Sequence, residues 1–206
     1  MALQTHGITQ ETPKNLMLGA GTFHKNLKSN PDLITPENPQ GWTSEILGTT
    51  SGGGSLNITP EYYKPDVDGA TVAIKGLVFK VGEEATMGAN VAEFSPKLFV
   101  DTLHLREDTG NSVPGYKKFV STPRIGEEDF LDNVAFVGTL TSGEQIIVIF
   151  NNAICTGAME LSPENSTIST YEITFECTAT FEQLSLDYLP YEIYYPERAT
   201  NTDPEI

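Results

Sequence analysis

Cysteine, tryptophan and basic residues are scarce in this sequence, and it contains no long apolar run. The two cysteines, Cys155 and Cys177, stand 22 residues apart with no CxxC or Cys/His cluster around them. That spacing excludes a structural zinc site, and the expected role is that of two small buried residues on neighbouring strands. Lysine and arginine total 12 against 28 aspartates and glutamates, a formal net charge of −16. So acidic a chain repels phosphates and is a poor candidate for gripping nucleic acid, although nucleic acid could slide past it without sticking. No segment approaches the roughly 20 apolar residues that cross a bilayer. The opening MALQTHGITQETPKN is polar and lacks the apolar stretch of a secretory leader. The reading is a soluble protein made in a cytoplasm, without membrane anchoring.

Catalytic signatures are missing as well. There is no GxSxG elbow. The triple glycine Gly52–Gly54 suggests a phosphate loop, but TTSGGGSLN has no Gly-Lys-Ser/Thr ending and extended sequence follows it. LGAGTFH approaches a dinucleotide fingerprint, with His24 where the third glycine belongs. The Asp66–Gly69 run suggests a calcium loop. Putting Asp66 and Asp68 at positions three and five leaves Lys64 and Lys75 at positions one and twelve, where carboxylates are required. A tight turn accounts for it better. The three histidines, His6, His24 and His104, fall in an arm, a strand and a helix, and a hydrolase built on His104 and Asp101 lacks a nucleophile. No enzyme activity, cofactor or metal is expected.

What the sequence does contain is β structure. ATVAIKGLVFKVG (70–82) and QIIVIF (145–150) are apolar on both alternating sets, a pattern that calls for cover on both faces. TSGEQ reads as a hairpin turn. From Tyr171 to Glu182, apolar Tyr171, Ile173, Phe175, Cys177, Ala179 and Phe181 alternate with polar residues, predicting one half-buried strand with a wet acidic face. One helix is expected near residues 95–108, with Ser95 as N-cap, Pro96 in the first turn and Leu98, Phe99 and Leu103 as its apolar stripe. The expected architecture is mainly β, a β-sandwich or partly closed β-barrel flanked by that helix. It would occupy 16–187, with a long loop or hairpin region at 28–60, a flexible N-terminal arm at 1–15 and a C-terminal arm at 188–206.

The segments KNLMLGAGTFHKNL, LGTTSGGGSLNITPEY, DVDGA and AIKG, with the loop through Trp42, follow one another in an order that resembles the major tail proteins, or tail tube proteins, of long-tailed bacteriophages and prophages, particularly of Gram-positive hosts. The likeness is clearest over residues 14–82. It departs from the pattern at YYKPDVDGA, which has a proline where none is expected. The resemblance implies a non-enzymatic subunit that assembles into rings, usually hexameric, which stack into a hollow tube carrying DNA from capsid to host. It further implies a location in the virion tail after assembly in the host cytoplasm, with copies of itself, the tape measure and the tail-terminator and tail-tip proteins as partners. Gly52, Gly53, Gly54 and Ser55 then become a flexible loop tip that contacts a neighbouring ring, and Glu172, Glu176 and Glu182 become candidates for an acidic lumen. The inner tube of a contractile tail or secretion system shares this plan. A monomeric β-sandwich binding module for carbohydrate or another surface ligand is the alternative from a different class, disfavoured by the single tryptophan, Trp42.

Overall fold

In the computed structural model, residues 7–9, 11–69, 72, 74–110, 113–157, 159–185 and 188–197 are described. One eight-stranded antiparallel sheet forms the body. Its strands are β1 (Thr22–Ser29), β2 (Trp42–Ile46), β3 (Thr50–Tyr63), β4 (Phe79–Val91), β7 (Leu131–Thr139), β8 (Gln145–Cys155), β9 (Tyr171–Cys177) and β10 (Tyr191–Tyr194). They lie in the order β2-β1-β7-β8-β9-β4-β3, with β10 also paired to β8. β5 (Leu105–Glu107) and β6 (Phe119–Ser121) form a separate two-stranded ribbon. The mainly β, sandwich-like expectation holds.

β8 is the strand around which the sheet is organised. Along one edge it pairs with β7 from Gln145 to Ala153. Its other edge is divided, Ile147–Phe150 taking β10 and Ala153–Cys155 taking β9. The sheet curls so that its two ends approach. The Leu47 N–H donates to the Phe23 carbonyl, and the Ala92 N–H to the Thr49 carbonyl, so the link from β2 to β3 bridges the gap between β1 and β4. The enclosed core contains Phe23, Met87, Val91, Val134, Phe150, Tyr171, Ile173 and Phe175, with Leu98 entering from the helix. QIIVIF is covered on both faces, as expected, but from within the chain: Ile147 and Ile149 pack with Leu27 and Ala135 beneath Trp42 and Val137 on the outer side.

The helix α1 (Pro96–Leu103) begins as predicted, the Ser95 side chain accepting from the Leu98 N–H at 3.2 Å. It ends five residues earlier than expected because His104 turns left-handed, with φ 52°. A second helix, α2 (Phe181–Leu184), was not foreseen. The alternation that begins at Tyr171 holds to Cys177 and then stops. There the Thr178 N–H turns to the Asn152 carbonyl, and Thr180 and Gln183 exchange capping-box hydrogen bonds. Phe181, expected in the core, is 96% exposed, whereas Phe175 is fully buried.

Three further expectations change. Of the described residues between 70 and 82, only those from Phe79 onward are in a strand, and turns at Gly69 and Gly76 precede it. Val72, Ile74, Val78, Phe79 and Val81 are exposed, not doubly covered. In the N-terminal arm, Thr12–Lys14 forms a 3-10 turn docked on the β7–β8 turn, the Thr141 hydroxyl donating to the Pro13 carbonyl and the Thr141 N–H to the Leu16 carbonyl. In the C-terminal arm, Tyr191–Tyr194 is β10 of the chain's own sheet. Residues 1–6 and 198–206 of these arms lie outside the described residues.

Truncating the two phenylalanines should separate them cleanly. Phe175→Ala is expected to lower unfolding free energy by about 3–5 kcal/mol, and Phe181→Ala to stay within about 0.5 kcal/mol of the parent, both by urea denaturation. Equal losses would place Phe181 in the core after all.

Candidate functional surface

The triple glycine lies inside a strand. Between the pairs Thr50↔Val91 and Gly54↔Ala89, β3 spends four steps where β4 spends two, so two extra residues bulge out. Gly52 and Gly53 take φ near +88°, which other residues adopt only at a cost. Gly54 is required for a different reason. A Cβ there would sit 2.5 Å from Phe23 Cζ and 2.7 Å from the Gly88 carbonyl oxygen, at the place where the sheet folds back on itself. Gly52–Ser55 is therefore a bulge on the sheet's edge strand and not a loop tip. The end of this hairpin lies beyond Tyr63, where β3 stops, and before Phe79, where β4 begins.

β3, β4 and β9 share a face that points away from the core. Their inward positions are Leu56 and Ile58, then Ala85, Met87, Ala89 and Val91, then Tyr171, Ile173 and Phe175. Alternation puts the intervening residues outward. Across the sheet these are Ser55, Asn57 and Thr59 on β3, Glu84, Thr86, Gly88 and Asn90 on β4, and Glu172, Thr174 and Glu176 on β9. Every side chain in this patch is a hydroxyl, an amide or a carboxylate, and none is a lysine or arginine. Glu172 lies opposite Asn90, and both line a shallow hollow of about 180 Å3 beside Gly52–Ser55. The structure thus brings together two of the three predicted glutamates with the predicted glycines. Glu182 belongs to α2, beyond the end of β9. Sequence reasoning missed Asn57, Thr86 and Asn90 as part of this face, because it depends on the β3–β4–β9 register, which alternation within one strand does not reveal.

Chemical constellations elsewhere resolve into structural contacts. Asp101, three residues before His104, pairs with Lys25 of β1, so the two residues of the hydrolase reading are not assembled. His104 instead turns inward, its Nε2 2.9 Å from the Cys155 carbonyl oxygen and its Nδ1 3.7 Å from the fully buried Asp129 carboxylate. Asp129 accepts from the Gly126 N–H at 2.8 Å and from the Arg106 guanidinium at 2.7 Å. His24 sits between Thr22 Oγ1 and Ser44 Oγ, each 2.8 Å away, and burial pushes its pKa down. Cys155 and Cys177 are free and buried on adjacent strands, as expected, and burial pushes the Cys177 thiol up to about 12. Among the described residues, no group of three or more His, Cys, Asp or Glu is placed to hold a metal ion.

Asp129 yields a pH prediction. Burial alone would raise its pKa, but the Gly126 N–H and the Arg106 guanidinium outweigh that effect and hold the carboxyl below its ordinary value. A group whose folded pKa is depressed contributes stability above its unfolded pKa, about 3.9 for Asp. That contribution is lost as pH falls through the lower folded value. Urea midpoints measured from pH 6 to pH 2.5 are expected to fall more steeply for the parent than for Asp129→Asn, and parallel curves would assign the acid sensitivity elsewhere.

No family model matches the chain, and no curated protein matches it at a significant level.

Proposed function

We propose that this protein is a structural subunit that assembles with copies of itself into stacked rings, hexameric as the resemblance to tail tube proteins implies, forming a conduit through which DNA passes. The observation that carries the reading is unsatisfied surface. On the β3–β4 hairpin Tyr62, Tyr63, Val67, Val78, Phe79 and Val81 are all exposed. The outer edge of β3, 14 residues long, has no partner strand among the described residues. An edge of that length, beside exposed apolar residues, is a template for another chain.

The cation-free face of β3, β4 and β9 supports the second half of the reading. Duplex DNA carries about one charge per 1.7 Å of axis, and proteins gain affinity by releasing its counterions through lysine and arginine contacts. A lumen lined by Glu84, Glu172, Glu176 and uncharged hydroxyls and amides offers no such release, so DNA slides and does not bind. Glu182, on α2, falls outside this lining.

Negative-stain electron microscopy across a concentration series, paired with light scattering, is expected to show rings or hollow tubes. A monomer that persists at every concentration would favour the binding-module alternative, to be followed by a glycan screen. Assembled tubes of a Glu172→Lys/Glu176→Lys variant are expected to retain linear duplex DNA at low salt and release it as salt rises, while parent tubes retain none. Unchanged retention would remove these residues from the lumen.

A further inference from the structure

Lys25 and Asp101 are paired where neither meets much water. Their side chains are 13% and 14% exposed, and Lys25 Nζ donates to Asp101 Oδ2. An ion pair so enclosed gives up most of the hydration of both charges, a cost that attraction alone seldom repays. Both partners are also fixed by their surroundings. Lys25 pairs with Val134 of β7 and with Glu45 of β2, and directly after it a bulge puts Asn26 at φ 56°. A bulge re-aims the side chain beside it. The buried Asn133 side chain then holds Leu27, accepting from its N–H at 2.8 Å and donating to its carbonyl at 3.0 Å. Asp101 rides on α1, which is pinned by Leu98 in the core, by the Thr102 hydroxyl on the Leu98 carbonyl and by His104 on the Cys155 carbonyl.

We infer that Lys25 Nζ and Asp101 Cγ condense into an intramolecular isopeptide amide, which fastens β1 to α1. The step needs no oxidant and no cofactor. Along the existing hydrogen bond Nζ passes a proton to Oδ2, leaving a neutral amine beside a neutral acid. The Nζ lone pair attacks Cγ, and the tetrahedral adduct gives up a second Nζ proton and expels Oδ2 as water. One C–N bond replaces one C–O bond, one N–H remains, and the net charge of the chain is unchanged. Glu45 is placed to carry the second proton from Nζ to the departing oxygen. It stands opposite Lys25 across the β1–β2 ladder, where paired side chains share a face. A hydrogen bond from Lys97 first, and the Lys25 charge after it, hold its carboxyl below the ordinary value, which keeps it an ionised acceptor at neutral pH. Orientation supplies the drive, since well-placed intramolecular groups reach effective concentrations on the order of 10⁵ M or more. The amide also removes the two enclosed charges. It joins positions 76 apart, so β2, β3 and β4 lie within a covalently closed ring. The bond does not depend on the self-assembly reading.

The test uses the full-length chain. Its intact mass after denaturation is expected to fall short of the sequence mass by one water. A tryptic digest should contain peptides 15–28 and 98–106 joined through Lys25 and Asp101, with no cleavage after Lys25. Limited cleavage after the exposed Lys75 should leave the two fragments joined on a reducing, denaturing gel. In Lys25→Arg, which keeps the charge pair but offers no primary amine, they should separate. Lys25→Arg and Asp101→Ala are each expected at full sequence mass. Glu45→Gln should slow the appearance of the linked peptide after cell-free synthesis by roughly a hundredfold, and an unchanged rate would remove Glu45 from the step. A parent chain still at full mass after days in the folded state would overturn the bond and leave an ion pair. A loss of water that persists in Lys25→Arg, without the linked peptide, would be a dehydration elsewhere and would overturn it equally.

Discussion

The structure depends on the burial of β8 from both faces and its hydrogen bonding along both edges. From Ile147 to Phe150 neither face of the strand meets water, which is why QIIVIF is apolar in both alternating sets. β7 takes one edge, while β9 and β10 divide the other, so two groups of strands are joined through a single element. The remaining packing follows from that division. The core side of β8 receives Phe23, Met87 and Phe175, and its outer side is closed by Leu27 and Trp42. Removing β8 would leave β2-β1-β7 and β9-β4-β3 with no ladder between them.

Legibility in the sequence tracked how local the determining interaction was. The α1 start was readable because Ser95 and Pro96 act within one turn. Its end was not, because the left-handed His104 is held by the Cys155 carbonyl, 51 residues away in the chain. β9 was readable to Cys177, where alternation reflects burial. Beyond it, the competing signal was the Thr180–Gln183 capping box, which local alternation concealed. The hairpin tip misled for a different reason. β-branched residues such as Val72 and Ile74 suggest a strand, but Gly69 and Gly76 at positive φ break the chain there, leaving its apolar residues exposed. Of the candidate surface, the acidic residues of β9 were legible and the hydroxyls and amides from two other strands were not, since they join it only through register.

Charge is distributed in a way composition alone does not show. Five of the paired lysines and arginines sit at α1, the β5–β6 ribbon and Asp129: Lys25 with Asp101, Lys97 with Glu45, Lys117 with Glu107, Lys118 with Asp108 and Arg106 with Asp129; Lys14 pairs with Glu11, and Lys80 with Glu83 at the far end of β4. These pairs lie away from the outward face of β3, β4 and β9. Glu84, Glu172 and Glu176 on that face therefore have no lysine or arginine within the same patch, and they set its local field.

The β3–β4 ladder runs from Val91 to Phe79, but β9 accompanies β4 only from Val91 to Thr86. Past that point no third strand joins the ladder. Ala85 and Ile58 still pack on the core, and Glu83 accepts from the Tyr191 hydroxyl. Beyond Gly82 the exposed Tyr62, Tyr63, Phe79 and Val81 leave the two strands paired chiefly with each other. Their amide protons therefore exchange with solvent through openings that start at the tip and leave the core ladder closed. Opening confined to the tip leaves the packing of Ala85 and Ile58 on the Phe175 core in place.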